Sequence, residues 1–110
     1  MLIVSQDKKA ILNFDNIEFI CVKPKPEQYA FGICVKFVQD EAYIGFYGTE
    51  ERAKEVLSEI ATAQSNFEYF KNATKEGKDY IINLLKHKYE KFDIYEMPKE
   101  WNKNEKANSM

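Results

Sequence analysis

Residues 42–67, AYIGFYGTEERAKEVLSEIATAQSNF, join an aromatic-rich strand to a strongly periodic helix through one glycine and one capping residue. No other stretch constrains the fold as much. Ala42, Ile44 and Phe46 alternate with Tyr43, Gly45 and Tyr47, the two-residue period of a strand whose branched and aromatic side chains suit a pleated surface. Gly48 interrupts that pattern. Thr49 can accept a hydrogen bond from a free backbone N–H of the next turn, and Glu50 and Glu51 bring negative charge to the positive end of the helix dipole. Arg52, at the third helical position, excludes a reciprocal capping box. Ala53, Val56, Leu57, Ile60, Ala63, Gln64 and Phe67 recur at spacings of three and four, with Arg52, Lys54, Glu55, Ser58 and Glu59 on the other side. A helix from Glu50 to Phe70 is therefore expected to lie with one face on a sheet.

The segments before this junction read as strands separated by polar turns. Leu2 to Val4 and Ala10 to Phe14 form a hairpin around Ser5–Lys9, Asn13, Asp15 and Asn16 favour a second turn, and Ile17 to Val22 is a third strand. KPKPEQ, Lys23 to Gln28, is read as a loop, since Pro24 and Pro26 lack ladder donors. Tyr29 to Val38 resumes alternation, with Phe31, Ile33, Val35 and Phe37 on one face, and Gln39–Glu41 turn the chain into the strand at 42–47. The expected fold is α+β: an antiparallel five-stranded meander with one main helix packed on the sheet, a second helix from Asp79 to Lys91 and a short closing strand at Asp93 to Met97. Lys71 to Lys78 reads as a breaker between the helices. The expected core holds Leu12, Ile17, Phe19, Phe31, Ile33, Val35, Ile44, Phe46, Val56, Leu57 and Ile60. Residues 1–98 have the length of one domain, and the polar tail 99–110 is expected to be disordered.

Charge and composition limit the function classes. The net charge of −2 gives no general attraction to nucleic acid or anionic membrane, so binding of either would need a local basic patch. No stretch approaches the roughly 20 apolar residues of a membrane span, and a cytoplasmic location is expected. Cys21 and Cys34 are too few for a disulfide scaffold or a four-thiolate zinc site. A bridge between them is geometrically conceivable, but in a reducing compartment two free thiols are the expectation.

The catalytic candidates are isolated from partners. His87 is the only histidine. Lys86, Lys88 and Lys91 around it repel a cation, and no helical His/Glu spacing accompanies it. Asp40 with Glu41, and Glu50 with Glu51, occupy turn and cap positions where solvated structural roles suffice. Gly45 and Gly48 are not followed by a phosphate-loop lysine. The expectation is a non-enzymatic protein with no cofactor and no metal site.

The segments SQDKKAILNFDNI, GFYGTEERAKEVLSEI and YEMPKE resemble a group of small, mostly uncharacterised proteins of low-GC Gram-positive bacteria and their phages. The resemblance covers under half of the chain. It implies an antiparallel sheet, a helix following a strand and a closing strand, and it implies no activity. Against that pattern the segment from Asn66 to Lys91 is unusually long. NFEYF and DYIINLLKHKY carry more apolar and aromatic side chains than two short helices bury on one sheet, so partner-binding residues are expected at Phe67, Tyr69, Phe70, Tyr80, Lys86, Lys88 and Tyr89. The expected role is a binding or accessory protein, with a phage- or mobile-element-encoded inhibitor of a host or defence protein as its specific form. Its partner is a protein or a second copy of the chain. The alternative is a nucleic-acid-binding module using the basic segment 71–91, where Lys71, Lys75, Lys78, Lys86, Lys88 and Lys91 are interleaved with Tyr80 and Tyr89.

Overall fold

The chain is seen as a computed structural model that describes residues 1–79 and 93–99. Its elements are β1 (Leu2–Val4), β2 (Ile11–Asn13), β3 (Phe19–Lys25), β4 (Ala30–Lys36), β5 (Glu41–Tyr47), α1 (Glu50–Lys71) and β6 (Ile94–Glu96). The α+β class and the main helix packed on a sheet agree with expectation. The single five-stranded meander does not: there are two three-stranded sheets, ordered β2-β1-β6 and β3-β4-β5. The division follows from the turn after β2. Asn13 Oδ1 accepts from Asp15 N at 3.0 Å and holds Phe14–Asn16 in a 3-10 turn, which leads the chain away from the hairpin. The other edge of β1 takes β6 as a parallel partner, pairing Leu2 with Ile94 and Val4 with Glu96. A parallel pair needs a long crossover, and β3–β5 with α1 supply it.

Two local features overturn expected side-chain directions. In the β4–β5 ladder Gly45 pairs with Ile33 and Tyr43 with Cys34, leaving Ile44 as an extra, unpaired residue. This bulge shifts the parity of β5 by one. Tyr47 is consequently fully buried, whereas Phe46 shares the opposite face with Tyr43 and is not a core residue. The second feature is the start of β3. Ile17 ends the 3-10 turn and packs against the core, so the strand begins only at Phe19, with Ile20 and Val22 facing inward. Phe19, expected inside, is 45% exposed. The proline segment is also shorter as a loop than expected. Pro24 belongs to β3, opposite Phe31, which an edge strand allows when the proline nitrogen faces away from its neighbour. Only Pro26–Gln28 turn, and Tyr29 closes the turn in the left-handed region at φ 51°.

Helix α1 begins as its sequence requires. Thr49 Oγ1 accepts from Arg52 N at 3.1 Å. Ala53, Val56 and Ile60 are buried, and Leu57, Ala63 and Phe67 pack around them against β3, β4 and β5. On the outer side Arg52 reaches Glu55 at 3.3 Å and Glu59 at 3.4 Å. A second helical turn starts earlier than expected: Gly77 N donates to Thr74 Oγ1 at 3.1 Å, and residues 75–79 are helical. The remainder of the expected second helix, and the tail from residue 100, lie outside the described residues. No helix among the described residues is long and apolar enough to cross a membrane.

The two sheets are joined at Gln6, through its backbone and its side chain, and at Tyr47. Gln6 N donates to Ile44 O at 2.8 Å, and the Gln6 carboxamide then donates to Phe46 O at 2.8 Å and accepts from Phe46 N at 2.7 Å. The side chain thus pairs with the β5 edge as a further strand residue would. Gly45 makes the approach possible, because a Cβ there would lie 2.8 Å from Met97 Cε and 3.3 Å from Gln6 Cβ. Beyond β6, Met97 N donates to Val4 O at 3.1 Å, and the buried Tyr47 hydroxyl donates to Pro98 O at 3.0 Å. One core results: Met1, Ile3 and Met97 from one side meet Ile33, Val35, Ile44 and Tyr47 from the other under α1. Of the expected core, Leu12, Ile17, Phe31 and Leu57 are partly buried against it.

Gly45→Ala, which drives a methyl into Met97, is expected to lower the unfolding free energy by about 2 kcal/mol. Gln6→Ala leaves two strand-edge groups of Phe46 without their partner and is expected to cost a similar amount, about 2 kcal/mol. Urea titration of the two variants checks both. A pH series tests the tie between β6 and α1, where the Tyr95 hydroxyl donates to Glu59 Oε1 at 2.8 Å. Burial, then this bond to a carboxylate, push the Tyr95 pKa far above its ordinary value. A raised folded pKa contributes stability that is complete below the unfolded value of about 10 and is lost as pH rises above it. Wild type should therefore lose stability faster than Tyr95→Phe above about pH 10.

Candidate binding face

Alternation along β3 turns Phe19, Cys21, Lys23 and Lys25 away from α1. Register then sets Lys36 opposite Phe19, Cys34 opposite Cys21 and Gly32 opposite Lys23. From β5, Glu41, Tyr43 and Phe46 stand opposite Lys36, Cys34 and Gly32. The three strands therefore gather aromatic rings, thiols and ammonium groups on one face, while α1 covers the other.

The centre of this face is Gly32. A Cβ there would sit 2.4 and 2.6 Å from Tyr43 Cδ1 and Cε1, and 3.3 Å from Phe46 Cε1, so both rings lean across onto the backbone of β4. Their centroids are 5.4 Å apart and their planes differ by 20°. Lys25 Nζ lies 4.6 Å from the Tyr43 centroid, and Lys36 Nζ lies 5.7 Å from that of Phe19. Lys23 pairs with Glu41 at 3.0 Å and Lys25 with Glu27 at 2.8 Å. These bonds raise both lysine pKa values and lower that of Glu27. Such exposed pairs contribute little to stability and exchange readily with other charged partners.

Cys21 and Cys34 face each other and are free thiols. The orientation of Pro24 accounts for this. If its nitrogen points outward, the Pro24–Phe31 pair lacks ladder bonds, and three residues away Cys21–Cys34 falls at the hydrogen-bonded kind of pair. There Cβ atoms are separated by about 5.5 Å, whereas a disulfide needs about 3.8 Å. Cys34 is buried, and desolvation raises its pKa.

The residues expected from sequence to bind a partner lie elsewhere. Phe67 packs against the core with Lys71 Nζ 5.8 Å from its ring centroid. Tyr69 is 72% exposed, and Phe70 is half-buried with Lys78 Nζ at 5.6 Å. Tyr80, Lys86, Lys88 and Tyr89 lie outside the described residues, as does His87. The paired acidic residues do not act as pairs: Glu41 binds Lys23, and Glu50 binds Lys54 at 2.9 Å. Asp40 instead borders an open groove with Asp15 and Glu18. Among the described residues no three His, Cys, Asp or Glu side chains are grouped so as to hold a metal ion. Local alternation places Phe19 and Phe46 inward, which hides this face from the sequence. The available signal was Gly45, an isolated strand glycine of the kind that marks a bulge.

Thiol titration checks the arrangement of this face. Cys21, partly exposed, is expected to react with a colorimetric disulfide reagent in the native protein, and Cys34 only after denaturant is added. Simultaneous reaction of both thiols under native conditions would contradict it. No protein-family model, curated protein or solved structure matches the chain.

Proposed function

We propose that this chain is a non-enzymatic binding or accessory protein that holds its partner on the face of the β3-β4-β5 sheet that no helix among the described residues covers. The observation that supports the reading is the ring pair of Tyr43 and Phe46, laid over Gly32 on the side that α1 leaves free. Aromatic side chains contribute large contact area with little conformational entropy to lose. Neither ring belongs to the core, whose volume is filled by Tyr47, Ile33 and Val35 on the other side of the sheet.

A second reading rests on Tyr69, exposed at the far end of α1 next to Phe70. There Phe67, Tyr69 and Phe70 of the expected set would dock a protein partner or a second copy of the chain, and Tyr80, Lys86, Lys88 and Tyr89 lie outside the described residues. A phage- or mobile-element-encoded inhibitor of a host or defence protein, acting in the cytoplasm, is the specific form that this second reading would take.

Affinity capture from a bacterial lysate, with protein and nucleic acid both identified, separates the two readings. The paired change Tyr43→Leu with Phe46→Leu should abolish capture of the specific partner, and Tyr69→Ala should leave it intact. The reverse pattern would move the site to the end of α1. Sedimentation at several concentrations identifies self-association, which should then respond to the same substitution as capture.

A further inference from the structure

We infer that the occupant of the open sheet face is single-stranded nucleic acid, an inference that rests on the binding-face reading above. Three observations point there. The first is ring posture. Side chains that anchor protein interfaces project into pockets of the partner. Tyr43 and Phe46 instead lean over Gly32 and stack on one another with their planes 20° apart, and a flat group would extend that stack once a phosphate draws off Lys25 Nζ, which lies 4.6 Å from the Tyr43 centroid. Nucleobases join such stacks whatever their sequence.

The second observation is charge. The chain carries a net −2, yet this face holds Lys23, Lys25 and Lys36 against Glu41, with Glu27 at the rim. Three ammonium groups against two carboxylates leave this face with one net positive charge on a chain whose total is negative. Lys23 and Lys25 are held by ion pairs to Glu41 and Glu27, with Lys25 also over the Tyr43 ring, and a phosphate can replace those carboxylates one for one. The third observation is spacing. Phe19 and Lys36 repeat the ring-and-ammonium unit of Tyr43 and Lys25 at a second position on the same face. Four residues of β4 separate Gly32 from Lys36, a distance of roughly 13 Å that a strand of a few nucleotides bridges. A duplex is not favoured, since its bases are already stacked and the flat face has no ridge to enter a groove.

The test is fluorescence anisotropy with labelled oligothymidylate and oligouridylate of about twelve nucleotides. Saturable binding is expected at about 50 mM NaCl, falling steeply by about 200 mM. Tyr43→Leu still covers Gly32 but offers no π face, and it should weaken binding about tenfold. Lys36→Gln removes one ammonium from a partly exposed side chain and should make the log–log salt slope shallower by about 0.7. Circular dichroism confirms that each variant is folded. The inference is overturned if neither oligonucleotide binds, if Tyr43→Leu binds as wild type does, or if a duplex of the same length binds equally well. Capture of a protein that depends on Tyr43 and Phe46, with both oligonucleotides left free, would also overturn it while leaving the binding face in place.

Discussion

The carboxamide of Gln6 is the joint on which the architecture depends. A strand edge exposes N–H and C=O groups that must find partners, and β5 finds them in a side chain where the adjoining strand has ended. Because that bond pair is made at one residue, it acts as a pivot between the sheets and does not continue the ladder. The short β2-β1-β6 sheet can then turn in toward α1. Ile3, Met1 and Met97 thereby reach the same core as Ile33 and Val35. Without the joint, three-residue strands have too few ladder bonds to hold their place.

Two glycines on neighbouring strands serve the opposite faces of the longer sheet. Gly45 admits Met97 and Gln6 on the inner side, and Gly32 admits the rings of Tyr43 and Phe46 on the outer side. The bulge at Ile44 connects these events. It turns Tyr47 inward, where its hydroxyl binds Pro98 O, and Phe46 outward beside Tyr43. The core and the candidate site are therefore set by one irregularity. A strand of perfect alternation would bury Phe46 and expose Tyr47, and it would lose both.

Legibility in the sequence followed the range of the interactions. The cap at Thr49, the buried stripe Ala53–Val56–Ile60 and the closing strand near Ile94 depend on neighbours three or four residues away, or on local composition, and all were readable. Phe19 and Phe46 were misplaced because side-chain direction in a strand depends on where counting starts, and a turn or a bulge resets the count. The parallel pairing of β1 with β6 has no local signature at all. Nor did Pro24 signal its place in β3, since the tolerance of an edge depends on which neighbour is absent. The aromatic and basic residues of the open face were visible one by one. Their convergence was not, for it needs the register of three strands.

The parallel pair has a consequence for how the protein is made. β3, β4, β5 and α1 are contiguous in sequence and can assemble through short-range contacts as the chain emerges. β1, which precedes that unit in the chain, cannot complete its sheet until β6 arrives after the whole of it. In the interval the apolar side chain of Ile3 and one edge of β1 lack their final cover. Until β6 is made, the hairpin of β1 and β2 therefore lacks one strand partner and is more open to misassembly than the finished fold.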